Sequence, residues 1–384
     1  MKTIICSIFL SFIVLVNAVD AIDDWTQKFP SPKPSTTYRH GMAYIGEDKV
    51  LLFGGVGTPE ETWVYDLSAN IWTQKSPLPH PPQLTYHAMA YIGGDGVLLF
   101  GGYDGSNEID ETWLYDLSDN TWNKQDDEPN WGGTKPSARD THAMAYIGGD
   151  RILLFGGLGS DDLTKLGDTW VYDLSDNTWT NKEPSGSPLA RSEHAMAYFG
   201  GNQAILFGGH SSPGGYQGDT WVYDVNSNLW TTKNPSASPD VRGRHAMAYI
   251  GGDGALVFGG YNGATGRFND TWVYDLSGNR WTLDSNTTQP SKREHLGLSE
   301  TSMDGSNYLV LFGGYDGTGD DETWTFGGGD YSLPVELSSF TVTSGDRQVT
   351  LRWVTETEVG NVGFALYRST EKDSNYTNAL QNYD

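Results

Sequence analysis

Arg242-Gly-Arg-His245-Ala-Met-Ala-Tyr-Ile-Gly-Gly-Asp-Gly-Ala-Leu-Val-Phe-Gly259-Gly260, followed after a loop by Asp270-Thr-Trp272-Val-Tyr-Asp-Leu-Ser-Gly-Asn-Arg-Trp281, is the cleanest copy of a unit that recurs along this chain. The double glycine appears at Gly54-Gly55, Gly101-Gly102, Gly156-Gly157, Gly208-Gly209, Gly259-Gly260 and Gly313-Gly314, each time with a Thr-Trp a short loop later. In five units a His stands fourteen residues before the first glycine (His40, His87, His142, His194, His245); the sixth, His295, stands eighteen before. A period of roughly 50 residues marks a repeat architecture, in which one supersecondary unit buries its faces against its neighbours.

Each unit reads as four short strands. His87-Ala-Met-Ala-Tyr-Ile92 alternates small and bulky side chains, as a strand between two packed neighbours requires, and Val97-Leu-Leu-Phe100 is continuously apolar, as a strand covered on both faces should be. Thr112-Trp-Leu-Tyr-Asp116 forms the third and Thr121-Trp122 opens the fourth. Between them Asp116-Leu-Ser-Asp-Asn120 is a turn of residues that bond their own backbone or accept positive φ. The double glycine ends the second strand where side chains would collide or the backbone is strained.

A hydrophobic run ending in Gly-Gly, a Tyr-Asp dipeptide and a spaced pair of tryptophans resemble the kelch repeat over residues 22–330. That resemblance implies a β-propeller. Two Trp lie nine apart in five units (Trp63/Trp72, Trp113/Trp122, Trp170/Trp179, Trp221/Trp230, Trp272/Trp281), whereas Trp324 of the sixth has no such partner. Asp24-Trp25-Thr-Gln-Lys28 copies Trp72-Thr-Gln-Lys75 and so is expected to supply the missing outer strand. The expected fold is all-β: a six-bladed kelch propeller over 22–331, closed by its N-terminal strand, which also protects the sheet edges.

Met1-Lys2-Thr3 and the apolar run Ile4–Val16 read as a secretory signal peptide, 1–21, with cleavage after Ala18 or Ala21. The run is too short for a comfortable bilayer span. The mature protein is therefore expected to be secreted or at the cell surface, without a stable membrane span. Cys6, the only cysteine, falls inside that segment, so the mature chain has no disulfide or thiol chemistry. With 49 Asp and Glu against 24 Lys and Arg, the chain is not suited to tracking phosphates, and a nucleic-acid partner is not expected.

After Asp330 the composition changes. Leu333–Val342, Gln348–Trp353 and Gly363–Arg368 read as strands of a sandwich and resemble the start of a fibronectin-III-like segment of the kind found late in exported bacterial proteins. A complete module needs about 100 residues, so 332–384 is expected to hold an incomplete β-sandwich.

Loop lengths single out one face. The first-to-second and third-to-fourth loops hardly vary, whereas Tyr103–Asp110, Leu158–Gly167, His210–Gly218 and Tyr261–Asn269 differ in length and content, and binding is expected where insertions collect. Arg39, Arg139, Arg191, Arg242 and Arg293 precede the strand-opening His and by repeat phase should lie near the channel mouth. They read either as a cationic ring for a carboxylate or as pins paired with Glu61, Glu111, Asp168, Asp219, Asp270 and Glu322, and their periodicity favours the pins. Less periodic candidates are Trp131, whose ring is suited to stacking on a sugar or a protein, and Tyr103, His210, Tyr216, Tyr261 and Tyr315 after the double glycines. The His row lacks His-x-x-His or Cys spacing, and the Ser160–Asp162 and Asp316–Asp321 loops lack the ligand spacing of a calcium loop, so no metal and no cofactor are expected.

The resulting expectation is an exported, noncatalytic, monomeric recognition module for an extracellular protein or glycan. Kelch-type propellers include enzymes, so the resemblance leaves catalysis open. The galactose-oxidase type is disfavoured because its radical cofactor needs a cysteine. A carbohydrate enzyme resembling sialic-acid epimerases or mutarotases is the alternative, although no lone acid-base pair stands out.

Overall fold

The computed structural model describes residues 24–127, 134–161, 163–284, 288–303 and 306–327, together with the strands Leu337–Gly345, Gln348–Thr355, Tyr367–Arg368 and Thr377–Asn378. The chain divides into two units, one of which is Ile22–Gly329. That unit is all-β apart from one 3₁₀ turn, Gln125–Asp127, among the described residues. The signal-peptide reading, residues 1–21, lies outside the described residues.

Each repeat folds as one antiparallel sheet in which strands follow chain order. The first comprises Gly41–Tyr44, Lys49–Phe53, Thr62–Asp66 and Ile71–Lys75, and the second Ala88–Gly93, Gly96–Phe100, Thr112–Asp116 and Thr121–Lys124. Four more follow, centred on Arg151–Gly159, Gln203–Phe207, Gly254–Phe258 and Ser306–Phe312. Sheets of four strands, the third extended by a fifth, Arg139–Asp140, that repeat along the chain in this way make a β-propeller. In the last, the outer strand is Trp25–Lys28, paired antiparallel with Thr323–Gly327 and with Trp25 opposite Phe326.

The apolar second strands are the centre of the core: Leu51, Leu52 and Phe53 have no exposure, nor have Leu98, Leu99 and Phe100. Apolar clusters join first to second sheet, second to third, third to fourth, fourth to fifth, and sixth to first. The second tryptophan of each unit ties its sheet to the one before. Trp122 rests 5.2 Å from the Phe53 ring and donates its indole N–H to Thr62 Oγ1 at 3.2 Å. Trp179 does the same with Phe100 and Thr112, Trp230 with Phe155 and Thr169, and Trp281 with Phe207 and Thr220. Trp72 reaches Phe312 and Thr323 of the sixth sheet, and Trp25 reaches Phe258 and Thr271 of the fifth. A buried indole thus keeps its donor satisfied while its ring fills the space between sheets.

Between third and fourth strands the Asn that closes each turn adopts positive φ, 55° at Asn70 and 52° at Asn120, and accepts from a buried Tyr hydroxyl, Tyr65 and Tyr115. The double glycine has an equally local cause. Gly208 (φ 65°) and Gly209 (φ 97°) sit in the left-handed region; a Cβ on Gly208 would fall 2.6 Å from the Arg242 carbonyl, and one on Gly209 2.7 Å from His194 Cβ.

In the other unit, Leu337–Gly345 pairs antiparallel with Gln348–Thr355, and Tyr367–Arg368 with Thr377–Asn378. Of the strands expected from the sequence, Leu333–Val342 is described from residue 337 on, Gln348–Trp353 lies within Gln348–Thr355, and of Gly363–Arg368 the described strand holds the last two residues.

Candidate binding site at the channel mouth

First strands of successive sheets lie in contact, Gly41–Tyr44 with Ala88–Gly93 and so on along the chain, and Gly297–Met303 touches both Ala246–Gly251 and Gly41–Tyr44. Just ahead of each stands one residue with left-handed backbone: Arg39 (φ 62°), Tyr86 (60°), Thr141 (49°), Glu193 (60°), Arg244 (60°) and His295 (55°). The amide of each donates to the carbonyl of the one before, at 2.9 to 3.0 Å, Tyr86 to Arg39, Thr141 to Tyr86, Glu193 to Thr141, Arg244 to Glu193, His295 to Arg244 and Arg39 to His295. These six hydrogen bonds account for backbone groups that would otherwise crowd unpaired at the axis. All six residues line a cavity of about 150 Å³.

His295 therefore does not continue the row of strand-opening histidines. Gly297 lies opposite Phe312 as Gly41 lies opposite Phe53, which puts Leu296 in the histidine place and His295 in the ring. The longer first hairpin of the sixth sheet, Gly297–Met303 with Ser306–Phe312, displaced the count from the double glycine. Arg39 is likewise out of frame with the other arginines: Arg139, Arg191, Arg242 and Arg293 stand three residues before the strand-opening place, where the first two units have Thr37 and Leu84.

Those four arginines are wholly buried. Arg139 meets Asp168, Arg191 Asp219, Arg242 Asp270, and Arg293 both Glu322 and Asp320, all at 2.6 to 3.0 Å. Each also donates to the carbonyl of the first glycine of its double glycine. Burial raises the carboxyls of Asp168, Asp219 and Asp270, yet their arginines outweigh it and hold all three below the usual value. Their forks are occupied, so the row pins the second-to-third-strand connections and leaves little for a ligand.

The ring residues have different chemistry. Arg244 donates to Glu193 (3.0 Å) and to Glu294 (2.9 Å), and Glu294 also receives Arg267. Arg39 has no carboxylate partner among the described residues; its guanidinium lies 4.5 Å from the Tyr86 ring and 5.1 Å from Tyr38, and its buried Nε has no hydrogen bond. Tyr86 stands edge-on to His295 at 5.3 Å, and burial pushes its hydroxyl up to about 12. Burial, then Arg244, Arg39 and Arg267, hold His295 well below its ordinary value, so its imidazole is neutral.

A second tier surrounds the ring. Tyr315 lies 5.0 Å from Tyr38 under the Arg267 guanidinium, Tyr261 lies under Arg244, and Tyr216 joins Tyr261 to His210. Burial and then Lys165 lower His210. Tyr103 is half-buried and bridges the backbone to Thr85 and Glu108, on the opposite part of the mouth from that cluster in chain order. Trp131 lies outside the described residues. The reading of the sequence missed Tyr86, Thr141, Glu193, Arg244 and His295 as a set, although the signal was present: the residue before the strand-opening place changes from unit to unit, while the strand that follows it repeats in five of the six.

Below the ring, His40, His87, His142, His194 and His245 are buried, and neither ring nitrogen of any makes a hydrogen bond of normal geometry. A weak contact with the backbone of a Phe of the preceding sheet offsets little, and burial lowers His40, His87, His142 and His245 to about 3 and His194 well below its ordinary value. No group of three metal-ligating side chains occurs among the described residues, and none of their helices is long and apolar enough to cross a membrane.

Residues 23–201 and 183–328 match the family described as KLHDC2/KLHL20/DRC7 Kelch-repeats domain. The flagellar outer-arm dynein alpha chain of Chlamydomonas reinhardtii is 30% identical over 161 residues, 40% of this chain and 4% of that protein. An F-box/kelch-repeat protein of Arabidopsis thaliana is 28% identical over 155 residues, 37% of this chain and 32% of that protein. Acyl-CoA-binding domain-containing protein 5 of Arabidopsis thaliana is 29% identical over 189 residues, 48% of this chain and 28% of that protein. The matched stretches thus span a third or less of each relative.

Proposed function

Because this chain belongs to the kelch-repeat family, we propose that it is a noncatalytic protein-recognition module, a six-bladed ring latched by Trp25–Lys28, whose mouth takes an acidic group of its partner at Arg39. The observation that carries the reading is the ring of Arg39, Tyr86, Thr141, Glu193, Arg244 and His295. A scaffold that repeats its core, its turns and its buried ion pairs has no structural need for six positions at which five residue types appear. Variation at the lining of a cavity, set against a core that repeats, is what a recognition site requires.

Arg39 gives that site its polarity. The other arginines at the mouth, Arg244 and Arg267, are matched to Glu193 and Glu294, whereas Arg39 offers an uncommitted fork between two tyrosine rings. A carboxylate would complete it, and tyrosine and arginine are the residue types that dominate binding energy at protein interfaces. In a chain of net charge −25, an acidic partner is repelled from most of the surface, so such a contact is selective for one place. The apolar segment Ile4–Val16 supports the further reading that the partner is met outside the cell.

The test is selection of peptides displayed on phage against the full chain, with a glycan array in parallel. Enrichment of an acidic motif that Arg39→Ala abolishes supports the proposal. Enriched peptides without an acid, or binding that ignores Arg39→Ala, overturns it, and binding to glycans alone moves the reading to carbohydrate recognition.

A further inference from the structure

The first strands carry a second series at their far ends. Tyr44, Tyr91, Tyr146, Tyr198 and Tyr249 occupy one register place, and their rings touch in succession at 4.9, 5.7, 5.2 and 5.7 Å. In the sixth strand that place is held by Glu300, since Gly297 to Glu300 are opposite Phe312 to Leu309 just as Gly41 to Tyr44 are opposite Phe53 to Val50. Five residues of extended chain separate this collar from the Arg39 ring, about 16 Å along the channel. Tyr44, Tyr91, Tyr146, Tyr198 and Glu300, with their strands, line a cavity of about 70 Å³.

The collar is rich in electron pairs, and three of its five hydroxyl donors are already committed. Tyr91, Tyr146 and Tyr249 each give their hydroxyl proton to a glycine carbonyl, of Gly94, Gly149 and Gly252, which leaves the phenolic oxygen as an acceptor. The Glu300 side chain is half-buried; among the described residues its carboxylate has no ion pair, and beyond a weak contact with its own amide it has no hydrogen bond. Of the basic residues in the first-to-second-strand hairpins, Lys49 is held by Glu47 and Asp48, and Arg151 donates its Nε to the Gly148 carbonyl. Asp95, Asp150 and Asp253 in the neighbouring hairpins add negative potential, while their side chains anchor Ser118, Ser175 and Ser277.

We propose that this end of the channel is a cation site in which Glu300 and the tyrosine collar hold a single ammonium group, primary or methylated. Charge comes from the carboxylate, and hydrogen-bond acceptance and ring attraction come from the tyrosines, the combination that selects an organic ammonium over a compact inorganic ion. Burial also pushes Glu300 upward from its ordinary value, offset in part by its own amide, and a bound cation would reverse that shift. The site is separate from the Arg39 mouth, with the opposite charge preference.

The ammonium group belongs either to a free amine or to the tip of a lysine side chain. The full chain is titrated with methylammonium chloride at constant ionic strength, against potassium chloride and tetramethylammonium chloride, following the thermal midpoint. A lysine-containing peptide titrated in parallel separates the two sources. Methylammonium should raise the midpoint saturably, and Glu300→Gln should weaken its apparent affinity at least tenfold. Glu300→Tyr, which restores the repeat and so guards against simple misfolding, should abolish the response. Equal shifts with potassium, no shift in the natural chain, or an unchanged response in Glu300→Gln would overturn the proposal.

Discussion

Arg139, without solvent exposure, lays its guanidinium fork against Asp168, Nη1 to Oδ1 at 2.7 Å and Nη2 to Oδ2 at 2.8 Å. Its other donors go to the Gly156 carbonyl, the Ser137 carbonyl and Ser137 Oγ, so every N–H of the side chain is used. Arg191 repeats the arrangement with Asp219, Gly208 and the Leu189 carbonyl. Removing one partner of such a pair strands the other.

Arginines that look alike in the sequence should therefore separate in stability. Arg191→Ala should cost about 3–5 kcal/mol, because it deprives Asp219 and the Gly208 carbonyl of their partner. Arg39→Ala removes only stacking on Tyr38 and Tyr86 and should cost less than about 1 kcal/mol. Urea unfolding midpoints of the two variants check this; equal costs would mean that Arg39 is a pin as well.

Acid should unfold the protein early. The unfolded chain takes up protons at each histidine near pH 6.5, whereas His40, His87, His142 and His245 do so in the native state only at about 3. Stability is therefore full above pH 6.5 and falls as pH drops from 6.5 toward 3, by about 1.4 kcal/mol per pH unit for each such histidine. His194 and His295 act in the same sense; Glu300, raised, acts in the opposite one. The carboxyls of Asp168, Asp219 and Asp270, lowered, add a further loss below about 3.8. His142→Leu, which copies Leu296 of the sixth unit, should reduce the loss between pH 7.5 and 5 by one histidine's share. Denaturant midpoints across that range report it, and an unchanged slope would mean that His142 is protonated in the folded protein.

What the sequence made legible follows the repeat. The strand patterns, the Asn turns and the likeness of Trp25-Thr-Gln-Lys28 to Trp72-Thr-Gln-Lys75 all depend on local chemistry that recurs, and the structure pairs Trp25–Lys28 with Thr323–Gly327. Counting from the double glycine failed where the sixth hairpin lengthens, and that displaced His295 by one place, from the buried row into the ring. Side-chain direction was not legible for the same reason: Arg39 and Arg139 both lie just ahead of a histidine, but two residues of offset turn one toward the lumen and the other beneath the double glycine. Trp131 falls outside the described residues.

The first glycine of each pair should tolerate no side chain. At Gly208, left-handed backbone costs a non-glycine residue about 1–3 kcal/mol by itself. The contact of 2.6 Å that a Cβ would make is with the Arg242 carbonyl, a backbone atom fixed by its own hydrogen bonds, and the next contact is His245. Gly208→Ala should thus be more damaging than Gly201→Ala, where φ is also positive but no atom lies within 4 Å. Thermal midpoints of the two variants separate the clash from the strain.

Trp25 should matter as much as a tryptophan in the middle of the chain. It is 1% exposed, packs at 5.0 Å from Phe258 and 5.1 Å from Phe326, and donates to Thr271 at 2.9 Å, so it binds the last sheet to the fifth while its strand completes that last sheet. Trp25→Ala removes a buried ring and should cost about 3–5 kcal/mol, the same as Trp122→Ala. The two losses should differ in where they open the protein. Without Trp25 the edge of Thr323–Gly327 loses its cover, so hydrogen exchange should rise in the sixth sheet, whereas Trp122→Ala should raise it in the first and second. Equal exchange patterns, or a cost for Trp25→Ala below about 1 kcal/mol, would show that the N-terminal strand contributes little to holding the sixth sheet.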